Sequence, residues 1–167
     1  KSRTLTVNPF LMKKILLLLV LSFTILSCGA GKKSISTRSK VSTKTNTKAK
    51  SIVKIAKGYK GTRYKFGGTT KKGMDCSGLV YTSFKKEDIV LPRSSRNMST
   101  QGKPIALKKV KIGDLLFFKT NKRKNVISHV GLVTETKGVI KYIHSSSSRG
   151  EIIASLEERY WLKAFAG

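Results

Sequence analysis

The sequence predicts an α+β domain in which short helices come first and an antiparallel β-sheet follows. Apolar residues recur with helical spacing between residues 51 and 101, whereas the short apolar or alternating runs after Pro104 are typical of strands. Lys137-Gly138 separates two of those runs and favours a tight hairpin turn. We therefore expect helices packed on a sheet that contains at least one antiparallel hairpin.

The predicted elements follow one another without long gaps. A first helix begins at a possible Ser51 cap and ends at Gly58, a second carries Cys76 at its start, and a third, short one lies around Arg96–Gln101. The sheet is predicted from three runs, Leu115–Phe118, Val130–Val133 and Val139–Ile143. A helical turn at Leu156–Arg159 and a closing strand at Trp161–Phe165 complete the domain.

The chain carries a large excess of basic residues. Of its 167 residues, 35 are Lys or Arg and 8 are Asp or Glu, which gives a formal net charge of +27. Such a charge fits an anionic wall polymer, an anionic membrane surface or nucleic acid, and a merely solvated basic face explains it as simply. No zinc-finger spacing and no aromatic RNA-binding signature is present, so we do not expect a nucleic-acid partner.

The N-terminal segment has the pattern of an export signal. Residues 12–27 combine a basic start, an apolar run too short for a comfortable membrane span, and small residues at the end. Leu26-Ser27-Cys28-Gly29 resembles the lipobox of bacterial lipoproteins, which implies that Cys28 is lipid-modified and becomes the new N-terminus. An uncleaved anchor helix is the less favoured alternative, and we interpret residues 1–11 as an overextended start upstream of Met12.

Residues 28–50 are interpreted as the lipidated cysteine and a flexible basic tether. This stretch has almost no large apolar side chain and cannot bury enough surface to offset chain entropy. The folded domain is then expected to cover residues 51–167. A disulfide between Cys28 and Cys76 would join a tether to a domain and is not expected.

The chemistry is predicted around Cys76. A cysteine at a helix N-terminus meets unpaired N–H groups and the positive end of the helix dipole, both of which favour thiolate. The two histidines, His129 and His144, lie at the start of one strand and the end of the next, so a hairpin should bring their rings together. Cys76 as nucleophile, His129 as base and His144 as orienting group would form a catalytic triad. The N–H of Cys76 and the Tyr64 hydroxyl are candidate oxyanion donors.

Two other interpretations of these residues remain open. A single buried cysteine is usually a core residue, and a histidine at a strand end is usually structural. A Cys-His-His zinc site would use the same residue types, but the sequence offers no fourth ligand and no close Cys-x-x-Cys pair. We therefore expect neither a metal nor a cofactor.

Four ordered motifs resemble those of the NlpC/P60 cysteine peptidases: Asp75–Val80, Gly113–Phe118, Ser128–Val133 and Ile143–Ser145. The resemblance runs from about Ser51 to the C-terminus. It implies a papain-like fold in which N-terminal helices carry the nucleophile against an antiparallel sheet, and it assigns Cys76, His129 and His144 to the triad. Tyr64, in Tyr-x-x-Gly-Gly, is similar to the family tyrosine near the nucleophile.

Further substrate-binding positions follow from the same resemblance. Asp75 and Ser77 match positions that line the substrate groove, although each could act only as a helix cap. Arg93 and Ser94 belong to a Leu-Pro-Arg-Ser-Ser segment similar to one in the family, in which a glutamine often follows where this chain has Met98. Ser128 precedes the proposed base and completes the candidate set.

The function implied is a peptidoglycan endopeptidase that hydrolyses amide bonds of stem peptides, with the D-γ-glutamyl-diamino acid bond as the expected target. A CHAP-like N-acetylmuramoyl-L-alanine amidase and a non-catalytic wall-binding lipoprotein are the alternatives. We expect a monomer in the cell envelope, anchored through a lipid on Cys28 to the outer membrane and facing the periplasm.

Overall fold

A computed structural model describes residues 37–121 and 125–166. Helix α1 precedes a small hairpin whose two strands have two residues each. Two further helices follow, and a four-stranded sheet and a last helix complete the domain. The bounds are α1 Thr37–Lys57, β1 Thr69–Thr70, β2 Gly73–Met74, α2 Cys76–Lys85, α3 Ser95–Met98, a 3₁₀ turn at Leu107–Lys109, β3 Leu115–Phe118, β4 His129–Glu135, β5 Lys141–Ser146, β6 Gly150–Ser155 and α4 Arg159–Ala164. The predicted α+β class is confirmed.

The main sheet is an antiparallel meander in the order β3-β4-β5-β6. The predicted hairpin joins β4 to β5, and Gly138 in its turn has a φ of +73°, a conformation that glycine adopts without steric cost. Strand β6, which pairs with β5 along its whole length, was not predicted. Its apolar run, Ile152–Ala154, is only three residues long and follows the acidic Glu151, so the strand pattern is weak.

Each face of the sheet has its own apolar core. Because side chains alternate along a strand, neighbouring residues enter different cores. Val130 and Leu132 pack with α1 and α2, whereas Val133 packs on the opposite face with Trp161. Helix α2, which begins at Cys76, is therefore fixed against one face, and α4 covers the other.

The first helix begins earlier than the sequence indicated. Residues 37–50, expected to be part of a flexible tether, are helical, so Ser51 does not cap the helix and its hydroxyl instead donates to Glu87. Ala49 already lies against the domain, since a Cβ added to Gly113 would be 2.7 Å from the Ala49 Cβ. A helix fixed by such packing can extend through Lys and Ala, which have good helix propensity.

The predicted closing strand Trp161–Phe165 was wrong. Residues Arg159–Ala164 form helix α4, and Phe165 makes one isolated bridge with Phe118. The helix directs Trp161 into the core beneath the histidines, where only 8% of its surface is exposed. No helix in the described part of the chain is long and apolar enough to cross a membrane.

Candidate active site

Cys76 occupies the first position of α2, where the sequence predicted it. Asp75 caps the helix, its Oδ1 accepting a hydrogen bond of 2.6 Å from the Gly78 N–H. Gly78 allows a close approach, because a Cβ at this position would lie 2.0 Å from the carbonyl oxygen of Gly68. The Asp-Cys-Ser-Gly sequence thus fixes the thiol at the helix terminus and seats that terminus on the glycine loop.

The Asp75 carboxylate is held by several donors. Arg93 donates from Nη1 to Oδ1 at 2.8 Å and from Nη2 to Oδ2 at 2.9 Å, and the Gly67 N–H donates to Oδ2 at 2.7 Å. Burial opposes ionisation of Asp75, but these hydrogen bonds outweigh it and hold its pKa below the usual value. Ser77 joins the same network through Arg93 Nη1 and Asp75 Oδ1. Asp75, Ser77 and Arg93 therefore lie together and brace the start of α2.

The hairpin brings the two histidine rings together, as the sequence predicted. His129 begins β4, His144 lies near the end of β5, and His129 Nε2 is 3.0 Å from His144 Nδ1. This contact occupies one nitrogen of His129 and leaves Nδ1 as the ring nitrogen available to a nucleophile. His144 is fully buried, and its Nε2 has no hydrogen-bond partner within the described ranges.

Trp161 supports both rings, which sequence reasoning missed. Its ring stacks on His129 at a centroid distance of 5.2 Å and meets the edge of His144 at 4.6 Å. Burial lowers the pKa of His129 to about 3, with His144 contributing, and lowers that of His144 to about 4. Both rings are consequently uncharged at pH 7 as long as Cys76 remains a protonated thiol.

The thiol environment differs from the one expected at a helix terminus. Burial raises the pKa of Cys76 to about 11, the Asp75 charge adds to this, and hydrogen bonds from the N–H groups of Val130 and Ser77 lower it in part. Exclusion of water from the site disfavours a charge on Cys76 alone or on His129 alone. A thiolate and an imidazolium formed together would stabilise each other, so this pair is expected to ionise by proton transfer between its members.

A pocket of about 450 Å³ opens over Cys76 and His129. Among the predicted site residues it is lined by Tyr64, Cys76, Ser128 and His129, and not by Asp75, Ser77, Arg93, Ser94 or His144. The remaining lining residues were not predicted: Thr120, Ser145, Ser146, Ser147, Ser148, Arg149, Glu158, Tyr160 and Trp161. The run of serines directly after His144 was the available signal for part of this wall.

Tyr64 and Ser128 are placed differently within this pocket. Burial raises the pKa of Tyr64, with the nearby Cys76 contributing, so its hydroxyl keeps its proton and can donate. The Ser128 Oγ accepts a hydrogen bond of 2.9 Å from the Thr120 N–H and thereby holds the loop before β4.

The other predicted positions lie elsewhere. Ser94 caps α3 by accepting a hydrogen bond of 3.2 Å from the Asn97 N–H, and Met98 is buried in the core. No group of three or more His, Cys, Asp or Glu side chains among residues 37–121 and 125–166 could hold a metal ion. The predicted lipidation site Cys28, the signal at 12–27 and residues 1–11 lie outside the described residues.

The chain resembles proteins of one family in sequence. A model of the NlpC/P60 family matches residues 61–167. The probable endopeptidase NlpC homolog of Haemophilus influenzae is 37% identical over 117 residues, which cover 70% of this chain and 59% of that protein. The murein DD-endopeptidase MepS/murein LD-carboxypeptidase of Escherichia coli is 38% identical over 108 residues, which cover 64% of this chain and 54% of that protein.

Two further similarities extend to other bacteria. The γ-D-glutamyl-L-lysine dipeptidyl-peptidase of Bacillus subtilis is 35% identical over 116 residues, which cover 69% of this chain and 38% of that protein. The crystal structure of a NlpC/P60 family protein from Bacillus cereus superposes with a TM-score of 0.65 at 29% identity, over 71% of this chain and 38% of that one. The matched region therefore spans less than two thirds of the length of each of these proteins.

Proposed function

Since the chain belongs to the NlpC/P60 family, we propose that it is a peptidoglycan endopeptidase that hydrolyses amide bonds of stem peptides by a Cys-His-His thiol mechanism. One observation carries the proposal. Cys76 and His129 line the same pocket, and the contact of His129 Nε2 with His144 Nδ1 leaves His129 Nδ1 available to accept a proton.

The reaction begins with proton transfer. Cys76 gives its proton to His129 Nδ1, and the thiolate attacks the scissile carbonyl carbon to form a tetrahedral adduct. The Cys76 N–H and the Tyr64 hydroxyl are the proposed donors to its oxyanion. The C–N bond then breaks, and the leaving amine takes the proton from His129. Water hydrolyses the resulting thioester by the reverse sequence, which releases the carboxylate product and restores the thiol.

His144 acts on the tautomer of His129. His129 Nδ1 can accept the thiol proton only if the single N–H proton of the neutral ring is on Nε2. This Nε2–H then donates a hydrogen bond to His144 Nδ1. His144 in turn carries its proton on Nε2. Trp161 keeps both rings in this orientation through the stacked and edge contacts described above.

The proposed target is the D-γ-glutamyl-diamino acid bond. The name of the Bacillus subtilis relative supports this choice, whereas the name of the Escherichia coli relative points to the D,D bond of cross-links. Digestion of purified peptidoglycan, with mass spectrometry of the products, tests the proposal directly. We expect new termini at γ-glutamyl bonds with the wild-type chain and none with Cys76→Ala.

The digest also separates the alternatives. Products cut only at D,D bonds would replace the proposed target, and release of stems at the lactyl link would indicate an amidase. Equal products from the wild type and from Cys76→Ala would overturn the thiol mechanism. Wall binding without any cleavage would indicate a non-catalytic wall-binding protein.

The cellular location is part of the same proposal. We propose that residues 12–27 direct export, that Cys28 receives a lipid, and that the excess of Lys and Arg over Asp and Glu in residues 28–167 holds the protein near an anionic wall. Mass spectrometry of the protein extracted from membranes tests this. A diacylglyceryl adduct on Cys28 is expected, and an unmodified Cys28 in the membrane fraction would contradict the lipid anchor. Detection of a translated residue before Met12 in the intact precursor would contradict the start at Met12.

A further inference from the structure

Glu151 is a buried acid that the proposed mechanism does not use. It lies in β6 with no exposed surface, and neither carboxyl oxygen has a hydrogen-bond partner in the part of the chain that the structure describes. A buried carboxylate without a partner is strongly unfavourable, so such a group keeps its proton. Burial raises the pKa of Glu151 to about 8, and the Asp75 charge adds to this.

Ser145 is the polar neighbour of Glu151 across the strands. The two residues are paired in the β5–β6 register, and residues paired in this way have Cβ atoms roughly 5 Å apart. The Ser145 hydroxyl donates a hydrogen bond of 3.0 Å to the carbonyl oxygen of Met74, and it lies close enough to Glu151 to lower the pKa of that acid in part. One hydroxyl therefore stands between the acid and the Met74 carbonyl.

The Ser145–Met74 hydrogen bond connects the two halves of the candidate active site. Ser145 directly follows His144, and Met74 precedes Cys76 by two residues, so the bond joins the strand of the orienting histidine to the segment of the nucleophile. It is buried and spans 71 positions of sequence. Its loss would loosen the spacing between the thiol and the histidines.

We propose that Glu151 is a positioning residue whose neutral carboxyl, lacking a charge, leaves the Ser145 proton committed to the Met74 carbonyl. A hydroxyl has one proton to donate. Once Glu151 ionises, its carboxylate competes for that proton and weakens the bond to Met74.

The acidic groups near Glu151 also oppose its ionisation. Asp75 and Cys76 face it from the start of α2, and the Glu151 charge raises the pKa of the thiol. On the loop side, backbone hydrogen bonds join Glu151 to Gly61 and Thr62, and the exposed Arg63 donates from Nε to the Lys72 carbonyl. His144 lies on the other face of β5 because adjacent residues alternate. Ionised Glu151 should therefore disfavour the Cys76 thiolate as well as the Ser145–Met74 hydrogen bond.

The test compares the wild type, Glu151→Gln, Ser145→Ala and Ser83→Ala. Gln has the shape of the neutral acid, but it cannot ionise. Ser83 is a matched control, since it is also a buried serine whose hydroxyl donates to a backbone carbonyl, that of Leu79 at 2.7 Å.

Two readouts are measured between pH 6 and pH 9.5: kcat/KM on peptidoglycan fragments and the rate at which iodoacetamide alkylates Cys76. We expect Glu151→Gln to match the wild type at pH 6 to 7 and to exceed it threefold or more in both readouts by pH 9. Ser145→Ala should lower kcat/KM at least fivefold at pH 7, whereas Ser83→Ala should lower it less than twofold.

The results distinguish this proposal, which rests on the proposed function, from that function itself. A ratio of Glu151→Gln to wild type that stays constant with pH, or full activity of Ser145→Ala, would overturn the role of the carboxyl. Absence of cleavage by the wild type would sink the peptidase proposal alone, because the alkylation rates still report the effect on the thiol. Infrared spectroscopy adds a direct check: a protonated-carboxyl band should be present at pH 7 in the wild type and absent in Glu151→Gln.

Discussion

Replacing Glu151 by Gln should change how the stability of the fold depends on pH. The side chain has no exposed surface, and its pKa is raised from 4.5 to about 8, chiefly by burial. The unfolded chain releases this proton near the lower value, whereas the folded protein holds it until the higher one. Between the two values the folded state binds more protons, so wild-type stability falls as the pH rises.

The size of the effect follows from the width of that window. Each pH unit between the two pKa values costs about 1.4 kcal/mol, and a change from pH 5 to pH 7 therefore costs roughly 2 to 3 kcal/mol through this residue. Glu151→Gln keeps the shape and hydrogen-bonding capacity of the neutral acid but has no proton to lose. The variant should thus gain roughly 2 to 3 kcal/mol relative to the wild type over the same interval.

Urea unfolding of both proteins at pH 5 and pH 7 measures the difference. Other titrating groups are common to the two proteins and cancel in the comparison. Glu157→Gln makes the same chemical change at an exposed position and should leave the difference near zero. If Glu151→Gln and wild type differed by the same free energy at both pH values, Glu151 would not be held neutral by the fold.

Two further predictions concern the histidine pair and the Asp75 network. His144→Ala should lower kcat by a factor of about 100, whereas His144→Gln, which can still hydrogen-bond to His129, should retain several-fold more activity; steady-state kinetics with equal turnover in both variants would remove His144 from the triad. Arg93→Ala should destabilise the fold by about 2 to 4 kcal/mol, because it leaves the largely buried Asp75 carboxylate without its ion pair. Lys141→Ala, which breaks an exposed pair, should cost at most about 1 kcal/mol, and equal losses in urea unfolding would contradict this account.

The sequence alone was sufficient for the parts of the site that depend on local pattern. A capping aspartate before Cys76 fixes the thiol at a helix start whatever lies around it, and this is a property of adjacent residues. The positions of His129 and His144 at the two ends of a hairpin similarly follow from strand periodicity and a glycine turn, and the rings meet at 3.0 Å. The α+β order of helices before strands follows from the same periodicities.

Only the tertiary structure decided the environment of these groups. The pairing of Arg93 with Asp75 and the placement of Trp161 under the histidines join residues from different elements. The burial of Glu151 opposite Ser145 depends on how the rest of the chain covers the β5–β6 hairpin. The sequence favoured a thiolate from the helix terminus, but burial, which depends on the whole fold, raises the thiol pKa to about 11. Local pattern determined that the thiol lies at a helix start and that the two histidine rings meet. Desolvation and tertiary contacts determined the protonation of these groups, because both depend on how completely the packed chain excludes water.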